Sequence, residues 1–248
     1  GVTLRRTGNE AGEMSLQEWK GLIDACAGFR PHITLFGGEP MLFPGCVDLI
    51  RYIKSKDMHC LMITNGSLLK AQAAALVESG LDELNVSLDG DSRTHDAIRG
   101  QPGLFERIMD GLQEVRRIKA ERGVSVPLVN LQCTINRDNL HALAAMPGVC
   151  LQSGAQSLTF HNLIFVEPWQ LQKQQETDRL LGCSSPGWKG FCFVPGVTAA
   201  RIAEAQASMA AAARECGVTW FPAFNRSELE QYYALCNGNH DNYNMNSN

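Results

Sequence analysis

The feature of this sequence that constrains its fold most is a regular alternation of short apolar segments with longer amphipathic ones. The apolar segments have strand length and are bounded by turn residues such as Gly, Asn and Asp: Ile33–Phe36, His59–Thr64, Leu84–Leu88, Val124–Ile135 and Ser157–Phe165. Such alternation predicts a parallel β-sheet covered by helices, that is, an α/β fold. The 248 residues suit one domain of α/β-barrel size or two small domains.

Helix signals fill the intervals between these segments. Ser15 followed by Glu18 is typical of a capping box and predicts a helix to about Ala27. A long helical stretch, Asp91–Arg122, is interrupted at Gly100–Gly103. The pattern after residue 165 predicts further elements: helix Pro168–Leu181, loop Gly182–Pro195, helix Thr198–Cys216, strand Val218–Phe221 and helix Arg226–Leu235.

Composition excludes several classes of function. The formal net charge of -4 argues against a nucleic-acid partner. No apolar run reaches the ~18 residues of a membrane span, and the polar start, Gly1–Glu13, lacks the apolar core of a signal peptide. The nine cysteines form no CxxC pair and no zinc-site spacing, which favours reduced, buried thiols in a cytoplasmic protein.

We expect the ligand-binding residues at the carboxyl ends of the strands, because parallel sheets bind ligands there. Gly37 and Gly38 let the backbone approach a ligand, Glu39 adds a charge suited to an ammonium group, and Pro40 fixes the direction of the chain. Other predicted strands end in small or hydrogen-bonding residues: Thr64, Asn65 and Gly66; Ser87, Asp89 and Gly90; Thr134, Asn136 and Arg137; His161 and Asn162. Together they predict a polar mouth suited to a small molecule with amine, carboxylate and ribose groups.

Three motifs in order resemble the radical S-adenosylmethionine enzymes: Ile33–Pro40 with Gly-Gly-Glu-Pro, Ile63–Gly66, and Val86–Gly90. The continuation Thr94–Gly100, with Phe105-Glu106 after it, is similar to the branch with SPASM or twitch extensions. The resemblance implies a partial (β/α)6 TIM-like barrel whose first strand and cluster loop are missing from this chain. It also implies a radical SAM core at 1–165 that is incomplete at its N-terminus, and a helical part at 166–236 that completes the barrel. The composition of 237–248, mostly Asn, Gly, His and Ser, predicts a disordered tail or a truncated remnant.

The resemblance further implies roles for individual residues. Gly37, Gly38, Glu39 and Pro40 match the segment that binds the methionine amino group of S-adenosylmethionine. Ser87 matches a contact to the ribose or the methionyl carboxylate, and Asn65 and Asp89 match polar positions of the same mouth. Arg99 is either a carboxylate partner or a helix-surface arginine. The predicted cofactor-binding set is Gly37, Gly38, Glu39, Pro40, Thr64, Asn65, Ser87, Asp89, Arg99 and Asn136.

In the family, a [4Fe–4S] cluster cleaves S-adenosylmethionine reductively to a 5′-deoxyadenosyl radical, which abstracts a substrate hydrogen. The resemblance thus implies an electron donor such as flavodoxin or ferredoxin, and a small-molecule or peptide substrate, for example in peptide or cofactor-precursor modification. The cluster is held by a CxxxCxxC loop, and this sequence has none; Cys26 and Cys46 fall on predicted helices without that spacing.

Three interpretations stay open at this point. The chain is an N-terminally truncated piece of an active enzyme, which we favour, or a degenerate member that only binds a ligand or a partner. The third is an unrelated barrel enzyme that uses Glu39 as an acid or base. For the remaining polar residues we expect His95 and Asp96 to cap or face a helix surface, and Glu167 to face the substrate. His161 either faces the substrate or, as we favour, is a satisfied core histidine.

Overall fold

The computed structural model describes residues 13–193, 196–209 and 216–234. Within these ranges six strands form one sheet in the order of the chain, and every neighbouring pair is parallel. The strands are β1 (Ile33–Leu35), β2 (Cys60–Thr64), β3 (Glu83–Ser87), β4 (Leu128–Thr134), β5 (Ser157–His161) and β6 (Gly217–Phe221). The predicted α/β class and the predicted last strand are therefore confirmed.

Helices follow the strands along the described chain. They are α1 (Leu16–Cys26), α2 (Cys46–Ser55), α3 (Leu69–Glu78), α4 (Ser92–Arg99), α5 (Leu104–Arg122), α6 (Met146–Ser153), α7 (Pro168–Leu181), α8 (Ala199–Met209) and α9 (Arg226–Ala234), with short 3-10 helices at Pro40–Leu42, Leu143–Ala145 and Pro186–Phe191. The capping box of α1 is confirmed, because Ser15 Oγ accepts from Glu18 N at 3.3 Å and Glu18 Oε2 accepts from Ser15 N at 2.7 Å.

Three elements differ from the prediction, one of them being β5, which ends at His161 rather than at Phe165. β4 begins at Leu128 rather than at Val124, because Leu128 pairs with Glu83, the first residue of β3, and the residues before it have no strand beside them. Helix α6 was not predicted, since Pro147 and Gly148 at its start weaken the sequence signal. Proline is tolerated in the first turn, and burial of Met146, Val149 and Cys150 stabilises the helix.

The two faces of the sheet differ sharply. Leu84, Val86, Leu131, Leu158 and Phe160 are all 0 % exposed and belong to the hydrophobic core formed with the helices. Because side chains alternate along a strand, the residues between them lie on the opposite side of the sheet. We call this side the open face; its central members are Asn85, Ser87, Asn130, Gln132 and Thr159.

The segment after residue 165 is part of the same sheet. Its strand β6 pairs with β5 from Ser157↔Gly217 to His161↔Phe221, so 166–236 contributes a strand as well as helices. The predicted tail, 237–248, lies outside the described residues. None of the helices within the described ranges is long and apolar enough to cross a membrane.

Candidate functional site

The carboxyl ends of β1 and β2 are joined by the side chain of Glu39. Its Oε1 accepts from Thr64 Oγ1 at 2.8 Å and from Met41 N at 3.2 Å, and its Oε2 accepts from Asn65 N at 2.8 Å. Glu39 is also the N-cap of the short helix that begins at Pro40. One carboxylate therefore fixes two loops that are 26 residues apart in the sequence.

All three donors to Glu39 are uncharged, and the residue forms no ion pair within the described part of the chain. Beside it, a Cβ atom added to Gly37 or Gly38 would meet no heavy atom within 4 Å, so the backbone of this loop is approachable. Oε2 accepts a single hydrogen bond and keeps capacity for another. An ammonium group fits this combination of an uncompensated carboxylate and an open glycine loop.

The ends of β3 and β4 are organised around Asp89, whose side chain is 5 % exposed. Its Oδ2 pairs with Arg99 Nη2 at 2.6 Å, and its Oδ1 accepts from Thr134 N at 3.3 Å. Asn139, which is completely buried, donates to Asp89 O at 3.0 Å and to Thr134 O at 2.9 Å. The charge of Asp89 is thus already balanced, and the residue serves to hold the two strand ends together.

His95 belongs to the same cluster rather than to a helix surface, so our expectation for its position was wrong. It is 0 % exposed, and its Nδ1 accepts from Asp89 N at 3.1 Å. Burial lowers the pKa of His95 to about 4, against a smaller opposing effect of Asp89. Its Nε2 has no hydrogen-bond partner among the described residues. Asp96 does cap a helix, since it accepts from Phe105 N at 2.8 Å near the start of α5.

The remaining predicted site residues lie at the same edge of the sheet in different settings. Asn65 Oδ1 accepts from Ser67 N at 2.8 Å and shapes the turn after β2. Asn136 also stabilises a turn, with Asp138 N donating to its Oδ1 at 2.9 Å. The Ser87 hydroxyl makes no hydrogen bond to another described residue and lies on the open face at the end of β3. Arg99 is 35 % exposed, so its guanidinium remains accessible beside Asp89.

Two expectations about later residues were wrong. The imidazole of His161 is not satisfied: its Nε2 is buried without a partner in the described chain, and burial lowers its pKa. Glu167 is buried, is the N-cap of α7 and accepts from Trp169 Nε1 at 2.5 Å, so it stabilises that helix rather than facing a substrate.

Sequence inspection missed Asn139, Asn85 and Gln132. Asn139 lies in a turn three residues after Asn136, and its hydrogen bond to Asp89 O joins residues that are 50 positions apart in the sequence. No local sequence pattern reveals such a contact. Asn85 and Gln132 interrupt apolar strand segments, and a polar residue inside such a segment was the available signal.

The described cysteines do not fit an iron–sulfur cluster. Cys26 and Cys46 lie at the ends of α1 and α2, as expected, and no group of three or more His, Cys, Asp or Glu side chains in the described ranges is placed to hold a metal ion. Burial raises the pKa of Cys46 to about 11 and that of Cys60 to about 12, which disfavours the thiolate that binds metal.

Comparison with known proteins agrees with this geometry. Residues 3–141 match the model of the radical SAM superfamily. The chain is 35% identical over 147 residues to an AdoMet-dependent heme synthase of Nitratidesulfovibrio vulgaris, covering 58% of this chain and 38% of that protein. It is 34% identical over 155 residues to an Fe-coproporphyrin III synthase of Methanosarcina barkeri, covering 62% and 37%. A GTP 3′,8-cyclase of Rhodopirellula baltica is 41% identical over 100 residues, which are 39% of this chain and 27% of the relative.

The chain spans less than two fifths of the length of these curated relatives. Among solved structures it resembles Streptococcus suis SuiB bound to S-adenosylmethionine, with a TM-score of 0.61 and 11% identity over 89% of this chain and 49% of that one. This likeness concerns the fold and supports the partial TIM-like barrel. The superfamily uses S-adenosylmethionine and a [4Fe–4S] cluster, and the relatives named above are enzymes. Because the family model covers more than half of the sequence, the chain belongs to the radical SAM superfamily.

Proposed function

We propose that the mouth formed by β1, β2 and β3 binds S-adenosylmethionine, with its methionyl ammonium group on Glu39 and the backbone of Gly37 and Gly38. Ser87 and Arg99 lie farther along the same edge and suit the ribose hydroxyls and the methionyl carboxylate. The whole protein is proposed to carry out the superfamily's reaction, reductive cleavage of S-adenosylmethionine to a radical that abstracts a substrate hydrogen. A peptide or a cofactor precursor is the proposed substrate, with a flavodoxin or ferredoxin as electron donor.

The observation that carries the proposal is the charge balance at Glu39. Its carboxylate is held by Met41, Thr64 and Asn65, which are all neutral donors, and no cation of the described chain compensates it. A charge placed beside low-dielectric walls attracts an opposite charge more strongly than it would in water. Asp89 lacks this property because Arg99 already neutralises it.

Three residues of the predicted cofactor-binding set receive supporting roles in this proposal. Thr64 and Asn65 position the Glu39 carboxylate, and Asp89 positions Arg99. The cluster that the superfamily uses supplies the electron for cleavage, and the described residues do not offer ligands for it. The contribution of these residues is to bind and orient the cosubstrate.

Calorimetry with two related ligands tests the role of Glu39. S-adenosylmethionine carries the methionyl ammonium group, whereas 5′-methylthioadenosine lacks it. The wild-type chain is expected to bind S-adenosylmethionine more tightly, and Glu39→Gln is expected to lose about tenfold in that affinity without changing the binding of 5′-methylthioadenosine. Asp138→Asn, at an exposed carboxylate near the same edge, is the matched control. Unchanged affinity in Glu39→Gln would contradict the assignment.

A second candidate function is a ligand-binding or scaffold protein on the same fold. It is favoured by the buried thiols of Cys46 and Cys60, because burial raises their pKa values and so disfavours the thiolate that binds metal. Both functions share the S-adenosylmethionine site, and they differ in whether a cluster is present. Anaerobic reconstitution of the chain with iron and sulfide is expected to give no stable [4Fe–4S] absorption. Formation of such a cluster would show that our assignment of the cysteines is wrong.

A further inference from the structure

The open face of the sheet carries two carboxamides that have no internal partner. Asn85 on β3 is 6 % exposed, and Gln132 on β4 is partly buried. Neither side chain forms a hydrogen bond with another described residue. The fully buried unpartnered side-chain atoms of the described chain are His95 Nε2 and His161 Nε2, so the two amides are reachable by water or a ligand from the open face. We call Asn85 and Gln132 the amide pair.

The polar residues of β5 and β6 on the same face, together with Asn130 of β4, bond to one another. Asn130, which lies directly beside Asn85 in the sheet register, is hydrogen-bonded with the hydroxyls of Ser157 at 2.9 Å and Thr159 at 3.2 Å. Thr159 in turn contacts Thr219 at 2.9 Å. The open face therefore divides into a bonded network on β4, β5 and β6 and a group on β3 and β4, namely the amide pair and Ser87, whose side chains bond to no other described residue.

The amide pair has a geometry that suits one planar group. Asn85 pairs with Asn130, and Ser87 pairs with Gln132, so Asn85 and Gln132 are diagonal neighbours on adjacent strands. Strands lie about 4.8 Å apart, and diagonal side chains of this length can reach the same group. Each carboxamide offers a donor and an acceptor, so the complementary ligand carries both.

The amide pair is uncharged, which favours a neutral ligand group. On the same face Asp89 pairs with Arg99, and Glu83 contacts His59 at 3.1 Å, an imidazole that carries a positive charge only when protonated. The two amides themselves offer an ionised ligand group no opposite charge. Burying an ionised ligand group there would therefore be costly.

We infer that the amide pair recognises an uncharged amide edge, –CO–NH–, of the substrate, and so determines which part of the substrate lies over β3 and β4. This inference rests on the proposed function, because it assigns the substrate side of the same barrel. An amide edge occurs both in a peptide backbone and in the lactam of a guanine base. The experiment distinguishes these two sources.

Nuclear magnetic resonance of the full chain tests the inference without any turnover. The side-chain amide signals of Asn85, Gln132 and Asn130 are assigned with Asn85→Leu, Gln132→Met and Asn130→Leu. Titration with a blocked dipeptide, N-acetylglycine methylamide, or with guanosine is expected to shift the signals of Asn85 and Gln132 and to leave that of Asn130 in place. The ligand that gives the larger shift identifies the source of the amide edge. Gln113→Met, at an exposed glutamine of α5, is the control for the same substitution elsewhere.

Thermal unfolding separates a ligand-binding role from a structural one. Asn85→Leu removes an amide that bonds to no other described residue and is expected not to lower Tm, whereas Asn130→Leu removes a bonded amide and is expected to lower it. Gln132→Met provides the same readout if Asn85→Leu does not fold.

Three results would overturn the inference: no shift with either amide ligand, equal shifts with sodium acetate, or a larger shift with adenosine, which would assign the pair to the cosubstrate. Because none of these measurements depends on Glu39, their failure is distinguishable from failure of the proposed S-adenosylmethionine site.

Discussion

Glu39 and Asp89 occupy equivalent places in this fold, yet they differ in charge balance. Each follows a strand at the same edge of the sheet, and each ties two neighbouring strand ends together. Glu39 is held by neutral donors, whereas Asp89 is nearly buried against the guanidinium of Arg99. Position alone therefore does not define a binding carboxylate. Asp89 has an internal cation and therefore a structural role, whereas Glu39 has none among the described residues and can attract a cationic ligand group.

The largest expected effect is a difference in the free energy of unfolding between variants of Asp89 and of Glu39. Asp89→Ala leaves Arg99 without its partner and is expected to lower the free energy of unfolding by about 3 kcal/mol. Glu39→Ala removes hydrogen bonds without stranding a charge, and is expected to cost about 1 kcal/mol. Urea denaturation of both variants, with the exposed Asp138→Ala as control, measures the difference. Equal losses for Asp89→Ala and Glu39→Ala would remove the distinction between the two acids.

A pH titration probes the cluster around Asp89 next. The folded protein holds the pKa of His95 at about 4, below its ordinary value of 6.5, so the unfolded chain binds a proton first as the pH falls. The free energy of unfolding is therefore expected to be fully retained above pH 6.5 and to decrease by about 2 kcal/mol on going to about pH 5, with further loss down to the folded pKa.

The variant His95→Asn can keep an acceptor for Asp89 N while removing the titration. The pH dependence of its unfolding is expected to flatten between these limits, as measured by denaturation at a series of pH values. His141→Gln, at an exposed histidine near α4, is the control and is expected to retain the wild-type dependence. An unchanged pH profile in His95→Asn would show that other groups cause the loss.

The smallest expected effect concerns the support of Glu39. Thr64→Val removes the hydroxyl that donates to Glu39 at 2.8 Å and is expected to cost about 1 kcal/mol of stability, together with weaker binding of S-adenosylmethionine. Thr94→Val is the matched control near Asp89, because its hydroxyl contacts His141 and not the acid. Calorimetry measures the affinity of the two variants for S-adenosylmethionine, and urea denaturation measures their free energy of unfolding. Weakened binding in Thr94→Val alone would place the ligand nearer to Asp89.

The features that the sequence predicted well are local. Strand segments such as Leu84–Leu88 and turn signals such as Gly37-Gly38 and Asn65-Gly66 act over a few residues, and the structure places them at one edge of a parallel sheet. The Ser15 capping box is confirmed for the same reason. Helix α6 escaped prediction because its stability comes from burial of Met146 and Cys150 rather than from propensity.

The features that the sequence did not predict depend on distant partners. Three contacts follow from tertiary packing rather than from local sequence. Arg99 neutralises Asp89, the buried His95 accepts a hydrogen bond from Asp89 N, and Asn139 donates to the backbone at two strand ends. The sequence therefore predicted which residue types lie at the carboxyl ends of the strands. It did not predict which of them hold the strand ends together and which are available to a ligand. The S-adenosylmethionine contacts of Gly37, Ser87 and Asn136 remain predictions.

The hydrogen bonds of Glu39 also limit how this fold can be re-engineered. A Gly-Gly-Glu-Pro loop transplanted alone into another barrel would lose two of the donors that orient its acid, because Thr64 and Asn65 come from the next strand. The transferable unit is thus a pair of adjacent loops with the register between their strands, Ile33↔Cys60 to Leu35↔Met62, kept intact. Directed evolution that randomises one loop while fixing the other would sample mostly sequences in which the acid no longer has a defined orientation.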